Sequence, residues 1–210
     1  MKKLFLISIV SFLFFTSQSF GQIKIGPIVG LNIASISTDI DNVSSKSKVG
    51  FYFGGIGEYA FNYLVSIESG VLVANKGGII DAAAINVKQT ISLYYLEIPV
   101  SGKFYIKTSI AKVFIIAGPY MGIGLSGTWK REGAVNDSKD ITWANNDNDM
   151  NTKDFRRLDF GLNVGAGIDI MNFQVGFKYG LGLSNMIAPH SKTDNNMVLG
   201  FSVAYLFSVK

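Results

Sequence analysis

The sequence RLDFGLNVGAGIDI, from Arg157 to Ile170, alternates without interruption between residues that are small, polar or charged and residues that are apolar. Successive side chains of a β-strand point to opposite faces, so this stretch predicts a strand with one apolar face and one polar, glycine-rich face. At about 3.3 Å per residue and a tilt near 40°, its apolar positions cover roughly 30 Å, which is close to the thickness of a bilayer's hydrocarbon core. The pattern therefore predicts a strand that crosses a membrane.

The beginning of the chain has the composition of an export signal. Two lysines form a positive n-region, and the apolar run Leu4–Phe15 follows them. Ser19 and Gly21 place small residues at the −3 and −1 positions of a cleavage site. Because the apolar run is shorter than the roughly 20 residues of a spanning helix, we expect residues 1–21 to be a cleaved signal peptide and residues 22–210 to be the barrel domain.

Composition excludes several other classes of protein. The chain has no cysteine, which excludes disulfides, thiolate metal sites and a cysteine nucleophile. It carries no Lys/Arg stripe that could neutralise phosphates, so we expect no nucleic-acid partner. Beyond the signal no apolar run approaches the about 18 residues of a transmembrane helix. An exported, apolar chain of this kind fits a closed barrel, because closure satisfies every backbone polar group in lipid.

Eight segments show strand-like alternation and are bounded by turn residues. The predicted strands are Gln22–Ser37, Val49–Phe61, Leu64–Asn75, Thr90–Ile106, Ala111–Thr128, Phe155–Met171, Phe173–Met186 and Met197–Val209. Short connections near Asn62, Lys107 and Asn172 alternate with long ones at residues 38–48, 76–89, 129–154 and 187–196. Bacterial transmembrane barrels have short periplasmic turns and longer external loops. The sequence thus predicts an all-β fold, an eight-stranded antiparallel up-and-down transmembrane β-barrel whose first strand leaves the periplasm.

The charged residues of these strands share the face opposite to the apolar one. The predicted lumen charges are Lys24, Glu58, Glu68, Glu97, Lys103, Arg157, Asp159, Asp169 and Lys178. The interior of an eight-stranded barrel is just wide enough to be filled by side chains. We expect these charges to pair with one another as a structural, hydrated plug. The functional alternative is a proton or ion relay.

One motif resembles a known family. Tyr95–Val100, with the sequence YLEIPV, is similar to a motif of the PorT-like outer-membrane β-barrel proteins of Bacteroidetes, and Gly57–Tyr59, Asn75–Gly78 and Ala117–Tyr120 agree with the surrounding pattern. The resemblance covers nearly all of the chain after the signal. It implies an eight-stranded outer-membrane barrel that the cell's barrel-assembly machinery inserts through a C-terminal aromatic signal. Here three residues follow the last aromatic residue, Phe207.

Three motifs that could carry chemistry have simpler explanations. Gly122–Gly127 spells a dinucleotide fingerprint, but no helical pattern follows it. His190 is the only histidine, with Ser191 and Asp194 nearby, and a catalytic triad at the rim is less expected than a solvated loop. Asn145–Asn151 contains the first ligand positions of a calcium loop but lacks the glycine and glutamate that follow. We therefore expect no cofactor, no metal site and no catalytic residues.

The longest predicted loop carries the candidate contact residues Trp129, Lys130, Arg131 and Trp143. Exposed tryptophans in a polar loop are typical of contacts with a protein or a surface glycan. For Trp129 we favour the alternative of an anchor at the external lipid interface.

Together these observations predict a monomeric integral protein of the bacterial outer membrane, surrounded by lipid, with a structural or interaction role and no enzymatic activity. External loops on rigid strands would contact an unknown protein or glycan. The alternatives are a small pore or transporter, an accessory component of a secretion or uptake assembly, an enzyme at the rim, and a soluble ligand-binding barrel.

Overall fold

The computed structural model describes residues 22–36, 44–82, 87–107, 111–133, 136–145, 155–184 and 196–209. The strands in these ranges are β1 Gln22–Ile36, β2 Ser44–Ala60, β3 Val65–Ala82, β4 Val87–Lys107, β5 Lys112–Glu132, β6 Asp137–Asp140, β7 Trp143–Ala144, β8 Phe155–Arg156, β9 Leu158–Ile170, β10 Phe173–Gly182, β11 Asn196–Tyr205 and β12 Phe207–Val209. Within the described ranges, no helix is long and apolar enough to cross a membrane. The expected signal peptide and the loop of His190 lie outside these ranges.

The strands form one closed antiparallel barrel. Its order is β1–β2–β3–β4–β5–β9–β10–β11, and β11 returns to pair with β1 from Ile28↔Ala204 to Ile36↔Asn196. After a one-residue break at Leu206, β12 continues this pairing to Ile23. The prediction of an eight-stranded up-and-down barrel is confirmed.

The two faces of the barrel have the predicted chemistry. On β9 the apolar residues Leu158, Phe160 and Leu162 are exposed on the outside, whereas the alternating residues Asp159 and Asn163 are buried inside. The same alternation recurs around the barrel. Its outer face is apolar and its interior contains the polar and charged side chains.

Two connections at one end of the barrel are short, as predicted, although each is one or two residues longer than expected. Residues 61–64 join β2 to β3, and the amide oxygen of Asn62 accepts hydrogen bonds from the backbone N–H groups of Leu64 and Val65. The two-residue turn Met171–Asn172 joins β9 to β10, with Met171 at a φ of 55°. This end is called the short-turn end below, and the opposite end is the long-loop end.

At the long-loop end β2, β3, β4 and β5 are longer than predicted. By contrast, β9 begins only at Leu158 instead of Phe155, and β10 ends at Gly182, short of the predicted Met186. β3 continues to Ala82 and β4 begins at Val87, so most of the predicted loop 76–89 is strand. Polar and charged residues occur on both faces of this part, so its sequence lacks the alternation of a membrane strand and predicts a loop. Cross-strand ion pairs, such as Lys46–Asp81 at 2.6 Å, connect these residues.

The predicted loop 129–154 is also partly folded. β5 runs on to Glu132, and β6 returns beside it, with Trp129 paired to Lys139. After β6 the chain turns towards the barrel mouth, where β7 and β8 pair in parallel. The outer parts of β2, β3, β4 and β5 together with β6 form the extension, which comprises residues 44–47, 78–82, 87–93, 126–132 and 137–140.

Candidate functional site in the barrel lumen

Inward side chains near the short-turn end form a hydrogen-bonded group, the lower cluster. Its members are Glu58, Glu68, Lys103, Tyr105, Asp169 and Gln174. The Lys103 ammonium donates to Glu58 Oε2 at 2.8 Å, to Glu68 Oε2 at 2.9 Å and to Gln174 Oε1 at 2.6 Å. An ammonium group has three hydrogens, so these acceptors use all of its donors.

Tyr105 lies between two carboxylates of the lower cluster. Its hydroxyl oxygen is 2.9 and 2.8 Å from the two oxygens of Glu58 and 2.9 Å from Asp169 Oδ2. The ring of Tyr105 also contacts Phe114 edge-on, with 5.9 Å between centroids. Packing by β4 and β5 thus fixes the hydroxyl between β2 and β9.

A second group, the upper cluster, lies further towards the long-loop end. It comprises Lys76, Glu97, Tyr120, Asp159 and Lys178. Lys76 Nζ is 2.7 Å from Glu97 Oε2 and 3.4 Å from Asp159 Oδ2, and it lies 4.3 Å from the ring centroid of Tyr120. Lys178 approaches the other Glu97 oxygen at 3.7 Å. Each buried carboxylate of this cluster therefore faces a cation, as a low-dielectric interior requires.

Cavities lie beside the clusters. A cavity of about 60 Å³ lies between them, and polar groups of Glu68, Ser101, Asn163 and Lys178 line it. This volume holds a few water molecules at about 10–15 Å³ of accessible volume each. A second cavity of about 190 Å³, the vestibule, lies at the short-turn end. The vestibule is lined by Gln22, Lys24, Glu58, Ala60, Asn62, Tyr63, Tyr105 and Lys112.

An apolar lid covers the upper cluster at the long-loop end. It consists of Ile141, Trp143 and Phe155, which pack against Ile91, Leu93 and Tyr95 on the inner face of β4. Backbone hydrogen bonds hold the lid to the barrel, from Ile141 N to Gly127 O at 2.9 Å and from Gly124 N to Arg157 O at 2.7 Å.

Trp143 is the centre of the lid. Its ring meets that of Tyr95 edge-on, with 5.5 Å between centroids, and lies directly over Gly124. A Cβ atom at Gly124 would come within 2.6 Å of the Trp143 ring. The second glycine of the apparent dinucleotide fingerprint is thus explained by the packing of a tryptophan.

The structure places most of the predicted lumen charges in the two clusters, but not all of them. Lys24 is half-buried at the vestibule and lies opposite Glu58 in the β1–β2 register. Arg157 is exposed at the rim, which corrects its assignment to the lumen. Its Nε donates to Gly124 O because residue 157 stands just before β9 and belongs to the lid connection.

The four candidate contact residues have different surroundings. Lys130 and Arg131 are exposed on β5. Trp143 faces inward in the lid. Trp129 packs against the same apolar group, and its Nε1 donates to Gln89 Oε1 at 3.3 Å. A register shift between Tyr94 and Tyr95 turns the outer part of β5, so Trp129 is not directed at the outer lipid-facing surface.

Sequence reasoning missed Lys76, which was assigned to a loop. Leu72, Ala74 and Lys76 are all buried at alternate positions of β3. Continuing the two-residue period of strand three by one further step would have found it. The inward tyrosines were also missed, because a tyrosine suits either face of a transmembrane barrel.

The contacts of the two clusters are ion pairs and hydrogen bonds. In the part of the chain that the structure describes, no three side chains of histidine, aspartate or glutamate are grouped as metal ligands. Ser184 Oγ donates to Asp159 Oδ1 at 2.7 Å, which orients the serine. Lys76 and Tyr120 donate to the other oxygen of the same Asp159 carboxylate. His190 and the stretch 146–151 of the calcium-like motif lie outside the described residues.

A family model described as "Outer membrane protein beta-barrel domain" matches residues 16–188. The chain is similar to the outer membrane protein OprG from Pseudomonas aeruginosa, with 13% identity over 90% of this chain and 97% of that chain and a TM-score of 0.52. At this identity the likeness to OprG shows a shared fold.

Two further solved structures are similar at lower scores. Neisserial surface protein A shares 13% identity over 87% of this chain and 97% of that chain, with a TM-score of 0.48. Ail from Yersinia pestis, solved with the heparin analogue sucrose octasulfate, shares 14% identity over 90% of this chain and 100% of that chain, with a TM-score of 0.45. No curated protein matches the chain.

Proposed function

The chain belongs to the outer membrane protein beta-barrel domain family, and we propose that it serves as a closed, non-catalytic barrel that presents its extension to a partner outside the cell. It is an integral β-barrel protein of the bacterial outer membrane. Short turns of such barrels face the periplasm, so in this proposal the vestibule opens to the periplasm and the extension lies outside.

The proposal of a closed barrel rests on one observation: side chains fill the lumen at three levels. The lower cluster, the upper cluster and the apolar lid follow one another along the barrel axis, and Lys103, Glu97 and Tyr95 are almost completely buried. A conducting path would have to break ion pairs in two layers and displace Trp143. This argues against the alternative of a small pore or transporter.

The extension supports an interaction role. Its outward residues include Lys46, Asp81, Lys88, Lys130 and Glu132, and the ion pairs Lys46–Asp81 and Lys88–Glu132 link neighbouring strands. Paired strands hold these side chains in a fixed arrangement, which lowers the entropy cost of binding. A protein or a surface glycan with hydrogen-bonding groups is the partner that we propose for this polar surface.

The remaining expectations belong to the same proposal. We propose that residues 1–21 are removed on export, that the barrel-assembly machinery inserts the chain, and that it remains a monomer surrounded by lipid. The YLEIPV sequence of Tyr95–Val100 supports placing the chain in the PorT-like group of its family. An accessory role in a secretion or uptake assembly stays the second candidate within that group.

Conductance tests the closed state. Purified protein in planar bilayers is expected to give no conductance above that of the bare membrane, and liposomes containing it should not swell in small sugars. The boiling-dependent gel shift of the same preparation shows whether the barrel was inserted. Steady single-channel conductance from the heat-modifiable protein would overturn the closed barrel.

Single introduced cysteines test whether the extension lies outside the cell. The natural chain has no cysteine, so only the introduced residue can be labelled. Lys130→Cys lies on the extension, and Tyr63→Cys lies in a short turn where Tyr63 is exposed. A membrane-impermeant maleimide on intact cells is expected to label the first variant and to label the second only after cell disruption. Labelling in the reverse order would invert the proposed orientation.

The same pair of variants tests for an external partner. A maleimide crosslinker with a photoreactive end is expected to give a discrete larger species from Lys130→Cys on intact cells. Tyr63→Cys, treated after disruption, is the matched control and should not give that species. The absence of any adduct at several positions of the extension would count against an interaction role.

A further inference from the structure

If every carboxyl group of the lower cluster is ionised, the cluster has too few hydrogens for the hydrogen-bond contacts around Tyr105. The Tyr105 hydroxyl has one hydrogen. Its oxygen lies within hydrogen-bond distance of Glu58 and of Asp169 Oδ2. If both carboxyl groups are ionised, the single hydroxyl hydrogen can serve only one of them, and the contact with the other brings a lone pair against a negative oxygen.

No neighbouring donor supplies the missing hydrogen. Lys103 already donates to Glu58, Glu68 and Gln174. The amide nitrogen of Gln174 donates to Glu68 Oε2 at 3.1 Å. Among the described residues, Asp169 Oδ1 has no partner at all, although Asp169 is only 6% exposed.

The charge balance of the lower cluster also favours one protonated carboxyl group. The lower cluster has three carboxyl groups, from β2, β3 and β9, and one buried ammonium group, Lys103. Lys24 on β1 and Lys112 on β5 face the group from the vestibule. In the described structure neither forms an ion pair within 4.0 Å, and Lys112 instead lies 5.6 Å from the Tyr105 ring centroid.

We propose that Asp169 carries a proton and donates it through Oδ2 to the Tyr105 oxygen, while Tyr105 donates its own hydrogen to Glu58. The group Glu58–Tyr105–Asp169 is then a proton-binding site at the periplasmic end of the lumen. In this arrangement one hydrogen lies between Asp169 and Tyr105 and one between Tyr105 and the Glu58 carboxylate. Asp169 Oδ1 is left as a neutral carbonyl, whose burial without a partner costs less than that of a charged oxygen.

Glu58 and Tyr105 line the vestibule, so in the orientation proposed above the site exchanges its proton with the periplasm. Loss of the proton leaves two carboxylates facing one hydroxyl hydrogen in a partly desolvated site. The folded state therefore binds this proton more tightly than the unfolded chain does, and its contribution to stability is present at low pH and lost as the pH rises.

Infrared spectroscopy of the folded protein tests the proposal directly. At neutral pH the wild type is expected to show the carbonyl stretching band of an un-ionised carboxyl group. Asp169→Asn should remove this band, and Tyr105→Phe should shift it because the acceptor oxygen is lost. Glu132→Gln, at an exposed carboxyl group, is the matched control and should leave the band unchanged.

Isotope labelling identifies the type of residue that carries the proton without any substitution, so this part of the test does not depend on the folding of a variant. Carboxyl-¹³C aspartate is expected to shift the band, and ¹³C-labelled glutamate is not. A shift with labelled glutamate would assign the proton to a glutamate and overturn the proposal. Absence of the band at neutral pH, or its disappearance on addition of Ca²⁺, would overturn it as well.

Discussion

Lys76 Nζ lies 2.7 Å from Glu97 Oε2 inside the barrel, and the two side chains are only 4% and 3% exposed. Asp159 on β9 approaches the same ammonium group from the other side at 3.4 Å. Removing one partner of such a pair leaves an uncompensated charge in a medium of low dielectric constant. The cost of that change exceeds the net contribution of the intact pair.

Lys76→Met is therefore expected to lower the free energy of unfolding by about 3–5 kcal/mol. Adding Glu97→Gln to Lys76→Met should recover part of this loss, because the unpaired carboxylate is then gone. Urea titration of the protein in lipid vesicles measures both values. Lys88→Met is the matched control, since its exposed ion pair with Glu132 at 3.9 Å is expected to contribute about 0–1 kcal/mol. Equal losses from Lys76→Met and Lys88→Met would contradict this account of the upper cluster.

The seam where the barrel closes depends on Gly26. A Cβ atom at this position would collide with the backbone carbonyl oxygen of Tyr205, next to the break at Leu206. Gly26→Ala should thus destabilise the barrel by about 1–3 kcal/mol through overpacking. Gly55→Ala is the control, because nothing lies within 4 Å of a Cβ there, and a change within about 0.5 kcal/mol is expected. Unfolding in urea compares the two, and a larger effect at Gly55 would refute the role of the seam.

Trp143 is expected to report the position of the lid. In a Trp129→Phe background it is the single tryptophan, since the chain has two. Its fluorescence should be blue-shifted in the folded protein and poorly quenched by iodide, because its ring packs between Tyr95 and Gly124. Gly124→Val should move the emission to the red, as the new side chain displaces the ring. An emission maximum typical of water in the parent protein would show that the lid does not close the mouth.

Removal of the lid side chain should weaken the barrel without opening it. Trp143→Ala is expected to cost about 2 kcal/mol, less than the loss of a fully buried tryptophan. Both charged clusters remain in this variant, so we expect no conductance in planar bilayers. Conductance from Trp143→Ala alone would show that the clusters do not block the lumen.

The closed barrel itself is tested by gel mobility. Strand pairing around the whole barrel leaves no free edge, so detergent-purified protein is expected to stay folded in SDS until it is boiled. The unboiled and boiled samples should then migrate differently. Identical mobility, in a protein that is soluble without detergent, would contradict the membrane location.

The sequence by itself determined the architecture, because a transmembrane barrel imposes a two-residue period on every strand. Leu158 to Ile170 show this period without a fault, and the observed faces of β9 follow it residue by residue. The short turns at Asn62 and Asn172 are also visible in the sequence. They mark where strands end and indicate that the strands they join are antiparallel. Burial of Glu58, Lys103 and Asp169 followed from parity alone.

Only the tertiary structure decided which inward charges meet and how the mouth is closed. Lys103 and Glu58 are 45 residues apart, and their contact depends on the relative positions of nonadjacent strands β2 and β4 around the barrel. Trp143 and Arg157 were misassigned because the lid is an irregular segment without a period, whose path is set by packing on Tyr95 and Gly124. The two-residue period of a strand determines the face on which a side chain lies. The partners of that side chain are determined by barrel closure and long-range packing.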